Sequence, residues 1–190
     1  GASNEKAMKR FGFPEPFYGR LLDGCIHQSP ATLNADLFSR RGLETEFAFR
    51  LTSDLPAHGA PFDRAAVIAA AVELIPAIEI IDSRFSAWPD VNPFSFVADN
   101  GTHGRFVMGQ PHSDWSGHDL AQQAASISVN DQLINQGKGS DVLGDPVNAL
   151  VWLANRLPKD GKSLKAGDVI TTGTAAGVAW CGAGDTATAD

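Results

Sequence analysis

Residues 42–51 read Gly-Leu-Glu-Thr-Glu-Phe-Ala-Phe-Arg-Leu, and this stretch decides the fold. Large apolar residues alternate with Glu44, Glu46, Ala48 and Arg50, and a period of two is typical of a strand with one buried face. Glu44 and Glu46 therefore project from the same face, with Cβ atoms roughly 6 to 7 Å apart. If that face is enclosed, a divalent cation with oxygen ligands would balance the two charges. A solvated face is the alternative, because charged side chains are mostly exposed.

A third carboxylate lies in residues 75–82, which read Ile-Pro-Ala-Ile-Glu-Ile-Ile-Asp. The β-branched residues around Glu79 predict a buried strand, where a carboxylate without a partner is costly. The chain between Glu46 and Glu79 is long enough for a loop, a helix and a return strand beside the first. Three carboxylates around one cation, with positions open for water and substrate, suit Mg²⁺ or Mn²⁺. A salt bridge from Glu79 to Arg50 or Arg84 is the alternative.

The composition is that of one globular domain. The chain has 190 residues, of which 43% are hydrophobic and 19% charged, enough for one sizeable core. Its net charge of −7 argues against nucleic-acid binding, which requires a basic surface. No apolar run approaches the roughly 20 residues of a membrane span, so we expect no membrane partner. Cys25 and Cys181 lack metal-ligand spacing and indicate reduced thiols in a cytoplasmic protein.

Strands interspersed with helices, without a regular βαβ rhythm, predict an α+β fold with a mixed sheet. Cap residues predict helices over residues 3–10, 64–74 and 145–157, with Pro76 ending the second and Pro146 starting the third. Short strands are expected over residues 18–22, 105–109, 125–130, 132–135 and 169–174, and a loop over residues 92–104. We expect a single domain over residues 1–190 that is part of a longer protein, because the sequence starts at Gly1 and stops where a strand begins.

Five segments follow one another along nearly the whole chain: Gly42–Phe49 with its Glu44-x-Glu46 pair, Pro76–Arg84, Ala98–Thr102, Leu143–Asn155 and Ala166–Thr174. In this order they resemble the 2-keto-4-pentenoate hydratase and 2-oxohepta-3-ene-1,7-dioate hydratase branch of the fumarylacetoacetate hydrolase superfamily. The resemblance implies a mixed β-roll with flanking helices. It also implies a metal-dependent lyase, in which Glu44, Glu46 and Glu79 hold Mg²⁺ or Mn²⁺ and the substrate is a small-molecule 2-oxo acid from the catabolism of aromatic compounds.

The resemblance further implies substrate contacts at Asn100, Thr102 and Thr174. Arg84 is a candidate for a substrate carboxylate, with an ion pair to Asp82 as the alternative. The preferred reaction is hydration of a 2-hydroxy-dienoate; a decarboxylase or a C–C bond hydrolase on the same scaffold is the enzyme alternative. A homodimer or a larger homo-oligomer is implied as well.

Two departures from the family pattern concern proton transfer. The lysine that shuttles protons in these hydratases lies in a Lys-x-Gly motif that, by register, precedes Gly1. The family also has an acidic residue within Pro-Asp-Phe/Tyr-Gly, where this chain has Phe17. Since Phe17 cannot transfer protons, either the substrate differs or another group takes that function. A metal-binding protein with impaired catalysis is therefore a further alternative.

Overall fold

The computed structural model describes residues 2–190, except for the side chain of Val72. The α-helices are α1 (Glu5–Phe11), α2 (Arg64–Ala70), α3 (Pro93–Ala98) and α4 (Pro146–Arg156). The strands are β1 (Ile26–Gln28), β2 (Gly42–Leu51), β3 (Ala71–Ile81), β4 (His103–Met108), β5 (Ala124–Val129), β6 (Gln132–Lys138), β7 (Val169–Trp180) and β8 (Ala187–Ala189). Within the described residues, no helix has the length and apolar character needed to cross a membrane.

The strands form a five-stranded sheet in the order β1-β4-β3-β2-β7 and a three-stranded sheet in the order β6-β5-β8. Strand β1 pairs with β4 in parallel, and the other pairs are antiparallel. This arrangement confirms the predicted α+β class with a mixed sheet and flanking helices. Strand β2, which has the bounds predicted for it, lies between β3 and β7, so its residues occupy the middle of the larger sheet.

Helix α4 covers one face of the larger sheet. Its first turn is capped by Asp145, whose carboxylate accepts a hydrogen bond from the Val147 amide at 2.8 Å. Val147 and Leu150 are fully buried in a core that they share with Phe49 of β2 and Val67 of α2. Phe49 and Leu51 of β2 therefore meet the apolar residues of α4 in one core, as the two periodicities require.

The predicted helix over residues 64–74 is too long. Helix α2 ends at Ala70, and β3 begins at the next residue. Glu73 and Leu74 pair with Arg50 and Phe49 across the β2–β3 ladder, and the Glu73 carboxylate forms an ion pair with the Arg50 guanidinium. Strand pairing and this ion pair outweigh the local preference of residues 71–74 for helix.

The predictions of a strand over residues 18–22 and of a loop over residues 92–104 are also wrong. Residues 18–22 are extended without a strand partner; instead, the Asn100 side chain accepts from the Arg20 amide at 2.9 Å and donates to the Arg20 carbonyl at 2.8 Å. Residues 93–98 form α3, capped by the Asn92 side chain. Strand β4 then starts at His103, two residues before the predicted position, because it pairs with β3 from there.

Candidate metal centre and its cavity

Three carboxylates from β2 and β3 converge at the middle of the larger sheet. Glu44 lies directly opposite Glu79 in the antiparallel pair, and Glu46 lies one pleat further along β2. One oxygen from each of Glu44, Glu46 and Glu79 lies within 4.8 Å of the other two. Glu46 and Glu79 are 2% and 4% exposed, and Glu44 is half-buried. The alternative of a solvated face is therefore wrong, and the structure brings the three side chains together, while metal binding by them stays a prediction.

Strand β7 is distorted around Glu46 so that it donates hydrogen bonds to this carboxylate. The β2–β7 register shifts on both sides of Glu46. The Thr171 hydroxyl and the Gly173 amide, at 3.0 Å, both donate to Oε2 of Glu46. Gly173 has a φ of +104°, where side chains are rarely tolerated, and a Cβ at this position would overlap the hydroxyl of Ser3. A glycine in a bulged strand is thus what brings the backbone close to Glu46.

Glu79 pairs with a histidine that the sequence analysis did not select. The Nδ1 atom of His103 lies 2.7 Å from Oε1 of Glu79, and both side chains are buried. Neither predicted arginine reaches Glu79, because Arg50 pairs with Glu73 and Arg84 pairs with Asp99 at 3.3 Å. The salt-bridge alternative for Glu79 is therefore wrong. The sequence signal for this partner of Glu79 is a histidine just before the strand predicted over residues 105–109.

The three carboxylates differ in their preference for the ionised form. Burial, and after it repulsion from Glu79, raises the pKa of Glu44 to about 8. Burial and repulsion from Glu79 and Glu44 raise the pKa of Glu46 well above its usual value, although the Thr171 hydrogen bond opposes this. Burial acts on Glu79 in the same direction, but the hydrogen bond with His103 leads the interactions that oppose it, and the pKa of Glu79 is lowered. Ionising all three carboxylates would therefore place more negative charge in the site than its own residues balance.

The donor atoms fit a divalent metal ion. All three side chains offer carboxylate oxygens, which Mg²⁺, Ca²⁺ and Mn²⁺ prefer. Two oxygens bound to one such ion lie at most about 4 to 5 Å apart, given bonds of about 2.0 to 2.6 Å. The three oxygens lie within 4.8 Å of one another, a bound inside the limit of about 5 Å for Ca²⁺ and beyond that of about 4 Å for Mg²⁺. Positive charge at this position would relieve the repulsion that raises the pKa values of Glu44 and Glu46.

A cavity of about 610 Å³ opens beside the carboxylates, and Glu46, Glu79 and His103 form part of its lining. Its volume is typical of a site for a small molecule. Apolar side chains, including Phe17, Trp152, Leu153 and Leu157, line other parts of the wall.

Cationic side chains also line this cavity. They are Arg20 and Lys162, and both are exposed. The Lys162 ammonium donates to the Tyr18 hydroxyl at 3.1 Å, and this hydroxyl donates to Asp160 at 2.6 Å. The cavity lining therefore includes both carboxylates and cations.

One of the four predicted substrate residues lines this cavity. Asn100 lines it, although its amide is bonded to the backbone of Arg20. Thr102 is buried and donates to the Gly101 carbonyl, and Thr174 accepts from the Gly177 amide. Thr102, Thr174 and Arg84 are not part of the cavity lining within residues 2–190. Substrate binding by these four residues stays a prediction.

Most of this chain matches a known protein family. The model of the fumarylacetoacetate (FAA) hydrolase C-terminal family matches residues 40–190. The chain belongs to this family. The resemblance seen in the sequence motifs is thereby confirmed, and the buried carboxylates lie within the matched part of the chain.

The relatives of this chain include proteins that are named hydratases. It is 36% identical over 188 residues to the 2-hydroxyhexa-2,4-dienoate hydratase of Comamonas testosteroni, covering 97% of this chain and 70% of that protein. It is 32% identical over 173 residues to a 2-keto-4-pentenoate hydratase of Burkholderia vietnamiensis, covering 91% of this chain and 65% of that one. The chain thus spans roughly two thirds of the length of the curated relatives it matches.

Among solved structures, the chain is similar to 4-oxalocrotonate decarboxylase from Pseudomonas putida G7, in a complex with magnesium and adipate. The TM-score is 0.91 at 29% identity, and the match covers 98% of this chain and 70% of the decarboxylase. The same decarboxylase in a complex with calcium and acetate gives a TM-score of 0.89. The fold of this chain is therefore one that is found with divalent cations in another protein.

Proposed function

We propose that the chain forms the metal-dependent part of a hydro-lyase that adds water to a 2-hydroxy-2,4-dienoate, or its 2-keto-4-enoate tautomer, in the catabolism of aromatic compounds. The observation that carries this proposal is the group of Glu44, Glu46 and Glu79 beside a cavity of about 610 Å³. The relatives named as hydratases, 36% and 32% identical to this chain, support the reaction class. A 2-oxo acid has the carboxylate and keto oxygens that a hard cation binds.

Glu44, Glu46 and Glu79 would hold Mg²⁺ or Mn²⁺, and the bound ion would supply Lewis-acid stabilisation of negative charge on the keto oxygen. The chain's own donors prepare this site. Thr171 and Gly173 hold one oxygen of Glu46, and His103 holds one oxygen of Glu79. These hydrogen bonds restrict the rotation of both carboxylates, so the ligands are oriented in advance.

The cavity walls account for binding of the rest of the substrate. Phe17, Trp152 and Leu153 offer apolar surface to the carbon chain of a dienoate and exclude water from it. Arg20 and Lys162 provide positive charge for an anionic substrate in a protein whose net charge is −7. Electrostatic attraction by these cations would favour entry of a carboxylate into an otherwise acidic molecule.

The cellular location and the oligomeric state of the protein are part of the proposal. We place it in the cytoplasm, because Cys25 and Cys181 are free thiols, and we expect a homodimer or a larger homo-oligomer from the family resemblance. Light scattering with size-exclusion chromatography measures the oligomer directly. A monomer at micromolar concentration would contradict that part of the proposal.

Turnover of 2-hydroxypenta-2,4-dienoate, followed by the loss of its ultraviolet absorbance, tests the function. We expect activity to disappear in EDTA and to return with Mg²⁺ or Mn²⁺. Glu46→Gln should weaken Mg²⁺ binding at least tenfold in calorimetry, because it removes a charged ligand. Glu15→Gln, at an exposed position outside the cavity lining, is the control. Undiminished turnover in EDTA would refute the function of the metal.

Decarboxylation of a 2-oxo dicarboxylic acid is the second candidate. The structural similarity to 4-oxalocrotonate decarboxylase, with a TM-score of 0.91, and the cations Arg20 and Lys162 in the cavity favour it. Release of CO₂ from 4-oxalocrotonate in parallel with the hydration assay separates the two reactions. Binding of Mg²⁺ in calorimetry without turnover of either substrate would identify the third alternative, a metal-binding protein with impaired catalysis.

A further inference from the structure

His103 is a buried residue that touches both the candidate metal centre and the cavity. Its ring is 4% exposed, it lies at the start of β4, and it forms part of the cavity lining. The Nδ1 atom lies 2.7 Å from Oε1 of Glu79. A carboxylate at this distance accepts a hydrogen bond, so the hydrogen of the neutral ring belongs on Nδ1. The ring therefore has its second nitrogen, Nε2, available as an acceptor.

That second nitrogen has no hydrogen-bond partner within the described part of the chain, although it is buried. Leaving a buried acceptor without a partner costs about 1 to 3 kcal/mol, and native proteins rarely do so without a reason. His103 forms part of the cavity lining, so a small molecule bound in the cavity is the candidate for the missing donor. Water and the enol hydroxyl of a 2-hydroxy-dienoate both have an O–H group that suits Nε2.

Hydrogen bonds and an ion pair fix the backbone around His103. Arg84 donates from Nη2 to the His103 carbonyl at 2.8 Å, and its Nε pairs with Asp99 at 3.3 Å. Asp99 is itself buried and accepts from the Ser83 hydroxyl at 2.8 Å. The intervening residues 100–102 all have positive φ angles, of 54°, 68° and 64°. The end of β3 and the loop before β4 are thus locked together around His103.

We propose that His103 is a positioning residue with two separate functions, orienting Glu79 through Nδ1 and holding an O–H group of water or substrate in the cavity through Nε2. The inference rests on the proposed function, because it requires a metal ion at Glu79. A buried histidine that only fills space in the core would need neither nitrogen. The two nitrogens can be separated experimentally, since the amide nitrogen of asparagine lies near the position of Nδ1 and that of glutamine lies near the position of Nε2.

The test compares His103→Asn with His103→Gln, using Mg²⁺ titration calorimetry and steady-state hydration of 2-hydroxypenta-2,4-dienoate at saturating Mg²⁺. His103→Asn keeps a donor for Glu79, so its Mg²⁺ affinity should remain within about threefold of wild type while kcat falls about 10- to 100-fold. His103→Gln loses that donor, so its Mg²⁺ affinity should fall about 10- to 100-fold. His118→Asn, on an exposed loop, is the matched control and should change neither.

The outcomes distinguish the inference from the proposed function. Equal losses of Mg²⁺ affinity in both His103 variants would show a merely structural residue and would overturn the inference. Wild-type kcat in His103→Asn would overturn the part that concerns Nε2. If the wild-type protein does not bind Mg²⁺ at all, the proposed function fails first, irrespective of His103.

Discussion

Glu44 and Glu79 lie directly opposite each other in the antiparallel pair of β2 and β3. Side chains at such positions have Cβ atoms about 4.5 to 5.5 Å apart, and like charges there destabilise a sheet. Glu46 adds a third carboxylate to the same place. A sequence selected for stability alone would not keep three carboxylates together, because their repulsion destabilises the fold. A bound cation would turn this repulsion into attraction.

Glu44→Gln is therefore expected to stabilise the protein when metal is removed. Glutamine keeps the shape of the side chain but cannot carry the charge that burial and Glu79 oppose. We expect the free energy of unfolding in urea, measured in EDTA at pH 8, to rise by about 1 to 3 kcal/mol. The same variant should bind Mg²⁺ at least tenfold more weakly. If Glu44→Gln were less stable than the wild type in EDTA, repulsion at Glu44 would not destabilise the fold. The control, Glu15→Gln, should change neither the free energy of unfolding nor the Mg²⁺ affinity.

The stability of the metal-free protein should fall as pH rises from about 5 to 8. The pKa of Glu44 is raised from an ordinary value of 4.5 to about 8 in the folded protein, and that of Glu46 is raised as well. Within this window the folded state keeps protons that the unfolded state has released, so unfolding becomes easier as pH rises. The lowered pKa of Glu79 acts below this window.

Each group bound to a proton only in the folded state contributes a slope of about 1.4 kcal/mol per pH unit. Urea unfolding in EDTA at pH 5, 6, 7 and 8 measures this slope. Saturating Mg²⁺ should remove most of it, because bound metal keeps the carboxylates ionised in the folded state. A stability in EDTA that rises between pH 5 and pH 8 would show that these carboxylates are not protonated in the folded protein.

Gly173→Ala should destabilise the protein more than a glycine substitution in open space. Alanine at a φ of +104° is strained, and its Cβ would overlap the Ser3 hydroxyl. We expect a loss of about 2 to 5 kcal/mol in urea unfolding, from backbone strain together with overpacking. Gly161→Ala is the matched control, because Gly161 also has a positive φ, of 68°, but nothing within 4 Å of its added Cβ. Equal losses for the two variants would refute the close approach at Ser3.

Lys162→Gln should discriminate between substrates with one and with two carboxylates. Lys162 lines the cavity and is held by the Tyr18 hydroxyl at 3.1 Å. Removing its charge should raise KM for 4-oxalocrotonate about three- to tenfold and change KM for 2-hydroxypenta-2,4-dienoate less. Lys9→Gln, at an exposed position of α1, is the control. Equal changes for both substrates would mean that Lys162 acts on entry of any anion.

Local patterns in the sequence determined the parts of this protein that depend on near neighbours. The alternation in Gly42–Leu51 predicted β2 with its bounds and placed Glu44 and Glu46 on one face. Asp145 and Pro146 predicted the start of α4. The acidic residue in a β-branched run predicted that Glu79 lies in a buried strand near the first two. Hydrophobic periodicity and helix capping depend on residues that are only a few positions apart, so both can be recognised directly in the sequence.

Only the tertiary structure decided which groups surround these carboxylates. Helix α2 ends at Ala70 because residues 73 and 74 pair with β2, and Glu79 has His103 as its partner because β4 lies beside β3. The bulges of β7 that bring Gly173 to Glu46 likewise follow from the register of two distant strands. These contacts join residues far apart in the chain, and their energy comes from pairing and packing that no local pattern encodes.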